Sequence, residues 1–164
     1  MEARMTRRPV FEPEFGARTA PGGTRICIWA PGAAQVAVTA EKLAAPLALV
    51  PAGRGCWEIT TPLLGPGDRY RVHIDGGSGR PDPVSRLLPE GVHGPTEIVD
   101  PGAYVWQDAG WRGIALADCI FYELHVGTFT PAGTFAGVVE RLPYLKALGV
   151  TCLEIMPVAQ FPGQ

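Results

Sequence analysis

The sequence predicts an all-β sandwich of antiparallel strands, followed by a strand–helix–strand unit of the parallel type. Two observations carry this. Up to about residue 105, short runs alternate apolar and polar residues between frequent Gly and Pro, of which the chain holds 21 and 17. From Asp118 the period changes to a nearly continuous apolar strand, apolar residues at helical spacing, and a second apolar strand. A period of two marks strands with one face in a core. Several such strands with Pro-Gly turns mark a sandwich.

In chain order, residues 1–14 are a terminus expected to be poorly ordered. The sandwich spans residues 15–105. Its runs are Arg25 to Trp29, Gln35 to Thr39 with Val36 and Val38 on one face, and Cys56 to Thr60 with Trp57 beside Ile59. Arg69 to Ile74 is the clearest, with Tyr70, Val72 and Ile74 facing one way and Arg69, Arg71 and His73 the other. Residues 106–117 are a linker. Tyr104, Trp106 and Trp111 lie in or beside it and are expected to pack as an apolar strap, a sugar-stacking platform being the alternative.

Residues 118–164 form the second region. Cys119 to Val126 reads as a strand and Gly127 to Gly133 as a loop. Thr134 can cap a helix, in which Phe135, Val138, Leu142, Leu145 and Leu148 repeat at helical spacing. Gly149 stands where helix ends favour glycine, and Val150 to Met156 is the second strand. Such a unit has parallel strands and a right-handed crossover. Pro143 either kinks the helix or opens a second short segment. Two strands and one helix leave most of a parallel sheet uncovered, and a barrel of this construction takes about 250 residues. The second domain is therefore expected to be cut off after its second strand.

A net charge of −2 without a basic stripe argues against nucleic acid as a partner. Met1 to Arg8 is basic, but no apolar run follows it, which argues against a secretory signal. No run is long enough to span a bilayer, and the default location is the cytoplasm. Cys27, Cys56, Cys119 and Cys152 form no C-x-x-C pair and are expected to be buried, reduced thiols. The three histidines are far apart in sequence, so no metal-ligand set is expected. His73 lies on the solvated face of its strand and His93 in a Gly-rich loop.

"FYELHVGTFTPAGTF" followed by "LPYLKALGVTCLEIMPVAQFPG" resembles the start of the catalytic (β/α)8 TIM barrel in the α-amylase superfamily of glycoside hydrolases. "RICIWAPGAAQVAV" is similar to the immunoglobulin-like domain that precedes that barrel in branching, debranching and trehalose-forming members. "PDPVSRLLPEGVHGPTEIVDP", with "HVGTFTPAGTF" and "MPVAQFPG", resembles the malto-oligosyltrehalose trehalohydrolases in particular.

The resemblance implies the amino-terminal part of an enzyme that releases trehalose from maltooligosyl trehalose, with no cofactor. Glycoside cleavage uses two carboxylates flanking the bond. The resemblance places both on later barrel strands, so the chain itself is expected to hold no catalytic residue and to be inactive. Glu123 and Glu154 are read as structural carboxylates rather than an acid/base pair. His125, near the carboxyl end of the first strand, and Gln160, in the loop after the second, are weak candidates for substrate contact. Two other functions stay open. One is the amino-terminal part of a branching or debranching enzyme. The other is a non-catalytic carbohydrate-binding module, for which Trp57 would be the platform, although sharing a face with Ile59 points it into the core.

Overall fold

The computed structural model describes residues 14–162. They divide into two compact units, one holding the described residues up to Tyr104 with Phe161 and Pro162, the other Val105–Gln160.

The first unit is made of β1 (Gly16–Ala20), β2 (Gly23–Trp29), β3 (Val36–Ala40), β4 (Leu47–Ala48), β5 (Val50–Gly53), β6 (Cys56–Thr61), β7 (Arg69–Ile74) and β8 (Thr96–Glu97). They form two four-stranded sheets, β1-β2-β6-β5 and β4-β3-β7-β8, antiparallel throughout. Ile26 and Ile28 from the first sheet and Val36, Val38, Tyr70 and Val72 from the second are buried together with Leu49, Leu64 and Ile98. The alternation read in β3 and β7 therefore does set the core face. It lapses at Ile74, which ends its strand 45% exposed. Trp57 and Ile59 pack against this core, and the Trp57 indole N–H donates to the Ala30 carbonyl at 3.1 Å.

Four of these strands, β1, β4, β5 and β8, lie outside the runs that alternation identifies. The β1–β2 hairpin turns on Pro21 and Gly22, and its closing residue Gly23 has φ +125°, a backbone open only to glycine. The run from Pro81 to Pro101 packs on the sandwich and ends by adding β8 to the second sheet. Arg86 donates to the Ala17 carbonyl at 2.6 Å, and the Glu97 N–H to the Leu87 carbonyl at 3.0 Å.

The second unit contains β9 (Phe121–Leu124), α1 (Val126–Phe129), α2 (Phe135–Leu148) and β10 (Cys152–Ile155). The two strands are parallel, with Tyr122 level with Leu153 and Glu123 level with Glu154. Both caps of α2 match the sequence reading: the Thr134 hydroxyl accepts from the Gly137 N–H, and Gly149 takes φ +97°. Pro143 lies inside α2, which runs as one helix and is not split into two segments. The strand read over Cys119 to Val126 is shorter, because His125 turns the chain into α1 within what the sequence suggested was loop.

Leu124, Val126, Val138 and Leu145 form this unit's core, with Tyr122 and Phe129 edge to face at 6.0 Å. Of the five apolar positions spaced along α2, only Val138 and Leu145 are buried; Phe135 is 57% and Leu148 60% exposed.

Three further expectations need restating. Cys27 and Cys56 are buried, but Cys119 and Cys152 are only partly so, since each flanks or edges the short parallel pair; all four are free. Tyr104, Trp106 and Trp111, expected to pack as an apolar strap, are each about two-thirds or more exposed. Of the terminus expected to be poorly ordered, residues 1–13 lie outside the described residues, and Glu14 is an exposed bend.

Candidate functional site

Because β9 and β10 are parallel, their carboxyl ends lie at one edge of the pair. His125 leaves β9 there as the N-cap of α1, exposed to solvent. Its carbonyl accepts from the Thr128 and Phe129 N–H groups at 3.1 and 3.0 Å, and its Nδ1 lies 3.4 Å from the Thr128 hydroxyl. Gly127 keeps this turn open: a Cβ there would sit 3.0 Å from the His125 ring. Gln160 follows β10 in an exposed stretch. Both candidates thus lie past the carboxyl ends of the strands, but no hydrogen bond among the described residues joins them.

Glu123 and Glu154 are neighbours in the parallel register, and both are exposed. Side chains alternate along a strand, so both project from the face opposite Leu124, the residue buried against α2. No ion pair engages either carboxylate among the described residues. Nor do the described residues contain a group of three or more His, Cys, Asp or Glu able to hold a metal ion.

On the sandwich, a buried polar cluster ties the Pro81 to Pro101 run to the second sheet. The Tyr70 hydroxyl donates to Asp82 Oδ2 at 2.5 Å, and the Val84 N–H to Asp82 Oδ1 at 3.0 Å. The Asp82 N–H donates to the Thr96 hydroxyl at 2.9 Å. Burial pushes the Asp82 carboxyl above the usual carboxylate range, although the Tyr70 and Val84 hydrogen bonds and the Arg86 charge pull the other way. Burial, with the Asp82 charge beside it, also raises the Tyr70 phenol well above its ordinary value. At the surface, Lys42 donates to Asp68 at 2.5 Å and holds that carboxyl below its usual range.

One exposed aromatic escaped the sequence reading. Trp57 is engaged with the core, as expected, but Trp29 at the end of β2 is 61% exposed. The signal was its parity, opposite to that of Ile26 and Ile28. Two clefts, each of about 480 Å³, flank it.

Residues 14–101 match the family model of carbohydrate-binding module 48, the isoamylase N-terminal domain, and the chain belongs to that family. Across both units it is similar to malto-oligosyltrehalose trehalohydrolases. It is 50% identical over 152 residues to the one from Deinococcus radiodurans, a match covering 92% of this chain and 25% of that protein. Against the one from Saccharolobus solfataricus it is 50% identical over 111 residues, covering 68% of this chain and 20% of that protein. A solved structure from Salmonella typhimurium, provisionally described as an alpha amylase, superposes with a TM-score of 0.86 at 38% identity, covering 93% of this chain and 26% of that one. The kinship with the trehalohydrolases read from the sequence motifs is borne out. The chain spans about a quarter of the length of these curated relatives.

Proposed function

We propose that this chain is the amino-terminal part of a malto-oligosyltrehalose trehalohydrolase, which hydrolyses the α-1,4 bond next to the terminal trehalose of a maltooligosyl trehalose. The observation that carries this is the 50% identity over 152 residues to the Deinococcus radiodurans protein. On this reading residues 15–105 are the immunoglobulin-like sandwich, 106–117 connect, and 118–164 supply the first two strands and first helix of a (β/α)8 barrel. The parallel register of β9 and β10, with α2 packed on one face, supports the barrel reading. Active sites of such barrels lie at the carboxyl ends of the strands, so His125 and Gln160 take the substrate side. Four free thiols suit a reducing compartment and favour the cytoplasm.

The catalytic acid and nucleophile belong to the rest of the enzyme. Two carboxylates must flank the scissile bond, whereas Glu123 and Glu154 stand side by side on one sheet face. The reaction itself needs only such carboxylates and water, and no redox cofactor.

The test pairs two proteins. A longer protein carrying this sequence, incubated with maltooligosyl trehalose, should release trehalose and a shortened maltooligosaccharide. It should retain the configuration at the cleaved anomeric centre, because one carboxylate attacks while the other alternates between acid and base. The 164-residue chain alone should release nothing above a buffer control. New α-1,6 branches in amylose without trehalose release would make it a branching enzyme instead, and cleavage by the isolated chain would overturn the placement of the carboxylates.

A further inference from the structure

We propose that Cys27 and Cys56, side by side on the outward face of the first sheet, form a two-thiolate site for a soft cation of the copper(I) kind. Nothing in the hydrolysis of an α-glucan calls for such a site, so it stands apart from the function proposed above.

The two strands place the pair. Ile26 and Ile28 of β2 and Trp57 and Ile59 of β6 lie in or against the core. Side chains alternate along a strand, so Cys27 and Cys56 leave their strands on the opposite face. Cys27 is level with Glu58 and Cys56 with Trp29, which makes the two cysteines diagonal neighbours. The same diagonal joins Arg25 to Glu58 in an ion pair. The two thiols are within reach of each other. Burial is the main influence that pushes the Cys27 thiol up, and the Arg25 charge opposes it. Cys56, by its charge and a hydrogen bond, and the Glu58 charge push it up further.

Both thiols point outward yet are hidden, with Cys27 1% and Cys56 9% exposed. The β1 residue level with Cys27 is Gly16, which has no side chain to lay over it. Cys27 instead lines a cleft of about 480 Å³ together with Phe15, Asp82 and Val84. This cleft gives a small ion a route to a thiol otherwise closed to solvent.

Spacing decides what the pair can hold. Diagonal neighbours on a sheet stand about 7–8 Å apart at Cα, beyond the ~6.8 Å that disulfides span. A cation between the sulfurs lengthens the bridge, replacing one S–S bond of about 2.0 Å by two metal–sulfur bonds of about 2.3 Å. Structural zinc takes four ligands, and no group of three or more His, Cys, Asp or Glu is found among the described residues. Soft thiolates select copper(I), for which two donors suffice. On binding, each thiol releases its proton to water and each sulfur shares an electron pair with the cation. Two thiolates and one monovalent cation leave a net charge of −1, beside the Arg25 guanidinium.

The experiment is an anaerobic titration of copper(I) into the 164-residue chain in competition with the chromophoric chelator bicinchoninate. Cys27→Ser, Cys56→Ser, Cys119→Ser and Cys152→Ser are titrated alongside, with circular dichroism to check folding. The wild-type chain should take up a first equivalent and show the ultraviolet thiolate-to-copper band. Cys27→Ser and Cys56→Ser should each weaken that binding by at least about a hundredfold, more than the loss of a partner outside the ligand set costs. Cys119→Ser and Cys152→Ser should leave it unchanged. Absence of binding by the wild type overturns the proposal. So does an unchanged first equivalent in folded Cys27→Ser or Cys56→Ser, or its loss in Cys119→Ser or Cys152→Ser. Should one of the two site variants not fold, the other decides. No readout here involves catalysis, so failure leaves trehalose release by the longer protein untouched.

Discussion

Gly23→Ala is expected to destabilise the sandwich by about 4 kcal/mol or more, enough to unfold a domain of ordinary stability in part or whole. Gly23 closes the β1–β2 hairpin at φ +125°, and a Cβ there would lie 2.1 Å from the Thr61 carbonyl oxygen and 2.7 Å from Pro62 Cα. Both obstacles are backbone, so no rotamer change relieves them; the hairpin must leave β6. Gly53→Ala is the control. Gly53 also has positive φ, at +85°, but a Cβ there meets nothing within 4 Å. Its cost is the backbone strain alone, about 1 kcal/mol. Urea unfolding of the two variants followed by circular dichroism separates the cases. Equal losses would mean that the hairpin does not approach Thr61 as described.

Asp82→Ala is expected to cost roughly 2–4 kcal/mol, because it strips the acceptor from two donors, the Tyr70 hydroxyl and the Val84 N–H, inside the fold. The loss should depend on pH in a defined sense. The folded Asp82 carboxyl titrates above its unfolded value, as burial dictates. Its contribution is therefore fully present below the unfolded pKa of about 3.9 and is lost as pH rises through the raised folded value. Asp82→Ala should consequently cost more near pH 4 than at pH 8. Tyr70→Phe removes the hydrogen bond that lowers this pKa, so its own cost should grow as pH rises. Unfolding curves at the two pH values read both. A loss for Asp82→Ala that is larger at pH 8 would contradict the burial of an ionisable Asp82.

The parts of the fold that were legible in the sequence are those in which local chemistry and tertiary demand agree. Tyr70 and Val72 alternate with Arg69, Arg71 and His73, and the first two are buried. Thr134 and Gly149 are residues that cap helices, and they cap α2. Strands β4 and β8 have two residues each, too short to show a period. Strand β5 contains Pro51 and Gly53, which suit an edge and disguise a strand. The α1 turn was hidden because Phe121 to Val126 is apolar enough to read as one strand, and only the Gly127 turn breaks it.

The functional surfaces were less legible. Asp82 sits between two prolines in what reads as a loop, and its burial depends on Tyr70 and Thr96, both distant in sequence. Parity puts Trp29 opposite Ile28, yet Cys27 has the same parity as Trp29 and is buried. Parity alone therefore cannot say which outward residue is open. His125 and Gln160 were placed by resemblance to barrel strands, and the structure adds their position at the strand ends without joining them to each other.

The central claim is that this chain belongs to an enzyme whose transition state is recognised through a terminal trehalose. The measurement that tests it most directly is kcat/KM of a longer protein carrying this sequence on two substrates of equal length, a maltooligosyl trehalose and the corresponding maltooligosaccharide. Differential binding of the α,α-1,1 unit in the transition state should make the first the better substrate by at least about a hundredfold, the scale that contacts of this kind reach. Equal values for the two substrates, or faster cleavage of the plain maltooligosaccharide, would contradict it.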